Sequence, residues 1–253
     1  MPLNVSAERR VVAATMGPTI HDVHAWRFTV VPGLIEVRAD QARFRPAHDP
    51  AGRGLHISCG AALVNLRLAA AQLGHDAVVR LLPDSERPTL LAAVRLAGRR
   101  HRVTRSERLL FAATLRPFAA GRPAAGSPPT LPVLNELAEA ARLEGAALHT
   151  LPVTSGDGFQ KAVLTTQGDS PAEWLRAGQA LQRVLLSGVG RSVSASFVYD
   201  VIDVPGVRDL VQHGDVPQVV LELTASTPPA STVLPEGPER RQHERQGDSG
   251  RVG

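Results

Sequence analysis

Cysteine is almost missing from this chain. One residue, Cys59, among 253 excludes an intramolecular disulfide and any multi-cysteine zinc or iron–sulfur site. It lies in Ile57-Ser58-Cys59-Gly60-Ala61-Ala62-Leu63, an apolar helical run, and reads as a buried small residue rather than a reactive thiol. Lysine is just as scarce. Lys161 is the only one, and every other basic residue is arginine. Arginine stays charged far above neutrality, so the skew raises the isoelectric point without a large net charge. The formal net charge is +4, too small to indicate a polyanion partner. Aromatics make up 4%, so the core must rest on Leu, Val and Ala. No uninterrupted apolar run reaches the ~18 residues of a membrane span, and the start of the chain lacks the apolar stretch of a signal peptide. The expectation is a cytoplasmic protein with no membrane partner.

What is present is ordinary globular material, 43% hydrophobic and 21% charged. The length suits one large domain or two intimate halves. Ser6 to Thr15 reads as a short helix with Ser6 as its N-cap. Trp26 to Val31 and Leu34 to Arg38 read as strands around Pro32-Gly33, a pair suited to a type II turn. Leu55 to Leu73 reads as a buried helix ended by Gly74. Ala77 to Leu82 and Leu90 to Leu96 read as strands. Arg99 to Arg108 reads as a basic, solvated linker into a helix ending near Leu115. Arg116 to Pro129 reads as a loop, Leu131 to Leu143 as a helix and Ala147 to Val153 as a strand. Ser170-Pro171-Ala172-Glu173 predicts a capping box opening a helix to Gly188. Ser196 to Ile202 and Pro217 to Thr224 read as strands. Residues 226–253 are too polar to offset their ordering entropy and read as a disordered tail.

A weak internal repeat runs through this pattern. Gly60, Ala62, Leu63, Leu66 and Leu68 align with Gly178, Ala180, Leu181, Val184 and Leu186 of the later helix. Each helix is followed by an extended segment, a proline and another strand, which suggests two related halves, about 1–105 and 106–225. The small residues would let two buried helices approach closely.

The chemistry concentrates in Gly17-Pro18-Thr19-Ile20-His21-Asp22-Val23-His24-Ala25-Trp26-Arg27-Phe28. Connections between regular elements are where binding residues gather. His21 and His24 are spaced for a metal, with Asp22, His48 and His56 elsewhere, but zinc sites need at least three converging protein ligands. No metal is expected. No Gly-rich phosphate loop and no G-x-S-x-G elbow appears. The run Arg99-Arg100-His101-Arg102 lacks interleaved aromatics, so no nucleic-acid partner is expected.

Three segments resemble the Acg-like branch of the nitroreductase superfamily. They are Gly17 to Phe28; Asp49-Pro50 and Gly52-Arg53 through Ile57 to Ala69; and Gly168 to Leu186 with its Trp174-Leu175-Arg176-Ala177-Gly178-Gln179-Ala180-Leu181 core. The resemblance implies an α+β fold with a nitroreductase-like mixed β-sheet flanked by helices, built over residues 1–225 from two fused halves. It implies FMN held by Thr19, His21, Asp22 and His24, with Arg116 at the phosphate. NAD(P)H would be the reductant and a small nitro or quinone compound the electron acceptor. Several positions depart from the family. Thr19 replaces a serine, Asp22 an asparagine and His24-Ala25 a Gln-Pro. Only Arg116-Pro117-Phe118 remains of a longer basic cluster, Glu222 stands near a usual arginine, and a helical stretch is lacking between Leu151 and Lys161. A homodimer would restore a pocket that the shorter chain leaves incomplete. The alternatives are a non-catalytic flavin-storage protein and a flavin-free interaction module.

Overall fold

The computed structural model describes residues 5–13, 15, 25–116, 126–153, 158–198, 207 and 214–226. In chain order its elements are α1 (Val5–Ala13), β1 (Trp26–Val31), β2 (Leu34–Ala39), α2 (Arg53–Gln72), β3 (His75–Leu81), β4 (Leu90–Arg100), α3 (Arg105–Thr114), α4 (Leu131–Arg142), β5 (Ala147–Thr150), β6 (Gln160–Thr166), α5 (Pro171–Val189), β7 (Val193–Val198) and β8 (Val216–Ala225). The class is α+β.

The strands make two four-stranded sheets, ordered β1-β2-β4-β3 and β5-β6-β8-β7. Every strand pairing among the described residues is antiparallel. This corrects the expected single mixed sheet. Within the first sheet, α2 carries the chain from β2 to the far edge, and β4 returns between β2 and β3. Thus β3 runs parallel to β2 without ever lying beside it. The second sheet repeats that path, with α5 in the place of α2 and α4 in the place of α1.

The two long helices form the centre. A Cβ on Gly60 would sit 2.1 Å from the Leu175 carbonyl oxygen, and one on Gly178 would sit 2.0 Å from that of Ile57. Ile57 precedes Gly60 by the same interval as Leu175 precedes Gly178, so the crossing is symmetric. Only glycine allows backbones this close. The contact also exchanges side chains. Ile57 of α2 joins the core under the second sheet, while Leu175 of α5 joins the core under the first. At the same crossing the buried Gln182 Nε2 donates to Asn65 Oδ1 at 2.7 Å. α2 is long and apolar enough to cross a membrane, but most of it is buried within this fold.

Local chemistry explains most boundaries. Gly33 adopts φ 72°, as the second central residue of a type II turn requires, and Gly74 ends α2 at φ 80°. α2 starts at Arg53, before the expected Leu55, because the Asp49 carboxylate accepts the Gly54 and Leu55 amides at 3.1 and 2.8 Å. Ser6 lies inside α1 rather than capping it. Ser170 does cap α5, accepting from Glu173 N, but the reciprocal half of the expected box is absent because the Glu173 carboxylate pairs with Arg176. The complete capping box belongs to Thr104 and Glu107 at the start of α3.

Two readings need larger correction. β4 runs on to Arg100, so the supposed basic linker is partly strand, and His101 then pairs with Glu107 at 2.9 Å. β6 was not anticipated at all. Its residues Ala162, Val163 and Leu164 are fully buried, and a strand buried on both faces shows no alternation to read. Its outer-face Val163 packs with Val220, Leu151 and Val207. The expected tail from 227 onward and the strand residues 199–202 lie outside the described residues.

Cys59 is fully buried in α2, and burial pushes its thiol well above the ordinary range. We expect no reaction with a thiol-specific disulfide reagent under native conditions and one equivalent after denaturation. Fast labelling of the folded protein would contradict this packing.

Candidate functional site

The segment that carries the sequence signal begins and ends on one core. At its start, Thr15 N–H and Oγ1 donate to the Val12 and Val11 carbonyls at 3.1 and 2.8 Å. At its end, Asp40 N–H donates to the Ala25 carbonyl at 2.7 Å. Trp26 Nε1 then donates to Ser58 Oγ of α2 at 3.1 Å, and its ring meets Phe28 edge-on at 5.1 Å. Val11 and Trp26 are both buried in the cluster that contains Cys59 and Leu63. Thr19, His21, Asp22 and His24 themselves lie outside the described residues.

The corresponding connection in the second unit is much shorter. Residues 14–25 join α1 to β1, whereas residues 143–146 join α4 to β5. A repeated architecture is elaborated here at one of two equivalent places. Loops are the part of a scaffold that accepts such insertions.

Arg116 follows α3 and is exposed, with its backbone N–H on the Ala113 carbonyl at 3.2 Å. The direction of α3 is informative. Glu107 near its start shares a cavity with Ala71 at the far end of α2 and His75 just beyond it, while Leu110 and Ala113 pack with Leu68 and Val64. α3 therefore runs back along α2, and Arg116 heads for the half of α2 that holds Ser58. Phe111 touches both the cluster under α3 and the one containing Trp26.

The D-P-x-G-R residues serve the fold. Asp49 occupies the first amides of α2, so that helix start is not open to a phosphate. Gly52 takes the left-handed conformation at φ 73°. Arg53 reaches across to β8, donating to the Pro217 and Gln218 carbonyls at 3.0 and 2.8 Å and to Gln218 Oε1 at 2.8 Å. His56 holds the Gly52 carbonyl at 2.6 Å through Nδ1 and meets Trp174 edge-on at 5.6 Å. Burial lowers its pKa, so the ring is kept neutral.

Sequence reasoning missed a charged hub. The Glu144 side chain is 4% exposed and accepts from Arg67 of α2 at 2.7 Å and Arg183 of α5 at 3.0 Å. Arg67 also lines two neighbouring cavities, one of about 290 Å³ bordered by Arg183, His101 and Glu107, the other of about 360 Å³ bordered by Arg176 and Gln179. The only sequence signal was an acid between a helix end and Gly145, facing arginines within two apolar helices. No group of three or more His, Cys, Asp or Glu among the described residues is placed to hold a metal.

No protein-family model matches the chain. Similarity to curated proteins is partial. The Mycobacterium tuberculosis protein Rv3131, named provisionally as an NAD(P)H nitroreductase, is 36% identical over 81 residues, 32% of this chain and 24% of its own length. The protein acg of the same organism, also provisionally named an NAD(P)H nitroreductase, is 31% identical over 84 residues, 33% of this chain and 25% of its own. A third M. tuberculosis protein, Rv3127, carries no functional name and is 31% identical over 117 residues, 40% of this chain and 34% of its own. The matches thus span about a quarter to a third of these relatives.

Proposed function

We propose that the chain is a flavin-binding oxidoreductase of the nitroreductase type, built from two fused units, with FMN held by the segment around Thr19, His21, Asp22 and His24. The observation that carries this reading is the elongated connection between α1 and β1, whose described ends are hydrogen-bonded, with Trp26 on Ser58 in the half of α2 toward which Arg116 heads. The donor set suits the group: imidazoles and a hydroxyl for the edge of the flavin ring, and a guanidinium for a phosphate, which it meets with two parallel hydrogen bonds. When bound, FMN would supply hydride transfer from NAD(P)H to a small nitro or quinone acceptor. The chain's own part is to bind and orient. Trp26 and Ala25 fix one end of the segment and Thr15 the other. Asp22 would set a negative charge beside the ring and oppose gain of electrons there.

Titration with FMN and with riboflavin, followed by flavin fluorescence, tests the assignment. Arg116→Ala is expected to weaken FMN binding about tenfold and leave riboflavin unchanged, because only FMN carries the phosphate. Equal affinity of both proteins for FMN would remove Arg116 from the site.

A further inference from the structure

The two sheets differ on their outer faces. In the second sheet Val163 and Val220 are covered by Leu151 and Val207. In the first sheet the side chains alternating with the core residues lie on the outer face, where Glu36 and Ala93 are buried beneath more exposed neighbours. The core takes Trp26, Phe28, Ile35, Val37, Val79 and Val94. The residues between them therefore face outward. Arg27, Arg80 and Arg95 are exposed on this face, and none of the three makes an ion pair among the described residues. Arg38 stands directly opposite Arg27, and Arg80 shares a row with Ala93 and Glu36.

Part of this arginine array is fixed in place. Glu36 holds Arg38 at 2.6 Å and Arg87 at 3.1 Å, and Asp84 holds Arg87 at 2.6 Å. Burial alone would raise the Glu36 pKa, but the bonds from Arg38 and Arg87 outweigh it and keep the carboxyl ionised. The three guanidinium groups without an ion pair among the described residues share this face with apolar side chains. Val31 pairs with Leu34, and Arg95 pairs with Val78, which is 43% exposed.

We propose that this face docks an acidic protein segment, with its carboxylates on Arg27, Arg80 and Arg95 and its apolar side chains on Val31, Leu34 and Val78. Exposed arginine is enriched at protein interfaces, and carboxylates are its charge complement. Nucleic acid fits less well. The strands' aromatic residues, Trp26 and Phe28, point inward, so no base can stack, and phosphates gain nothing from valine. A second copy docked face to face would set like charges together. The proposal does not depend on flavin.

The test uses the full chain and fluorescent polyglutamate, read by anisotropy at low salt. Arg27→Glu, Arg80→Glu and Arg95→Glu together are expected to weaken binding about tenfold or more, as the loss of three exposed charge pairs implies. A control reversing Arg102, Arg105 and Arg108, exposed near α3, is expected to stay within about twofold. Circular dichroism and melting temperature check that both variants fold. Equal loss in both triple variants, no binding by the unaltered chain, or tighter binding of duplex DNA than of polyglutamate would each overturn the proposal.

Discussion

Gly178→Ala is expected to lower the melting temperature by about 10 °C. In an ordinary helix the same change would add about 1 kcal/mol of helix propensity. Here the new methyl carbon would stand 2.0 Å from the Ile57 carbonyl oxygen and under 3 Å from Ile57 Cα. Backbone cannot yield as a flexible side chain does, so α2 and α5 must separate. Both sheets hang on that pair, and Ile57 and Leu175 lose their places in opposite cores. Overpacking of this kind costs about 3 kcal/mol, which for a domain of this size is roughly 6–12 °C. Gly188→Ala in the same helix is the control, since its nearest contact would be 3.3 Å from the Val193 carbonyl oxygen. It is expected to shift melting by no more than about 3 °C. A Gly178→Ala protein melting at or above the unaltered chain would mean that the helices do not cross there.

Glu144→Ala is expected to destabilise by about 2 kcal/mol. Removing one member of a fully buried ion pair costs about 3–5 kcal/mol, because its partner is left charged and desolvated. The Arg67 and Arg183 side chains are 34% and 22% exposed, so water relieves part of that loss. Glu144→Gln keeps the shape and one acceptor, and should lose about half as much. Urea denaturation reads both, as a lower midpoint at unchanged slope. An unchanged midpoint for Glu144→Ala would show that the hub joining α2, α5 and the α4–β5 turn contributes nothing.

Much of the fold was legible in the sequence, and the exceptions share causes. Pro32-Gly33 and Gly74 announced their turns because backbone geometry at those points admits few other residues. The pairing of Gly60 with Gly178 was visible as a repeat of small residues in two apolar helices. β6 was hidden because a strand buried on both sides has no polar alternation. The outward run of β4 was hidden because arginine at a strand end looks like a linker. Asn65 and Gln182 were legible only as polar residues in apolar helices, and their bond to each other joins positions far apart in sequence. The same distance hid Arg67, Arg183 and Glu144, and the reach of Arg53 to β8. The proposed flavin residues differ again. Thr19, His21, Asp22 and His24 are implied by resemblance alone, and they lie outside the described residues.

The account stands or falls on flavin. The most direct measurement is the visible absorption spectrum of the full chain, taken as purified and again after incubation with excess FMN and desalting. The account predicts the two visible bands of protein-bound oxidised flavin at close to one equivalent per chain. A protein that remains colourless after incubation would contradict it.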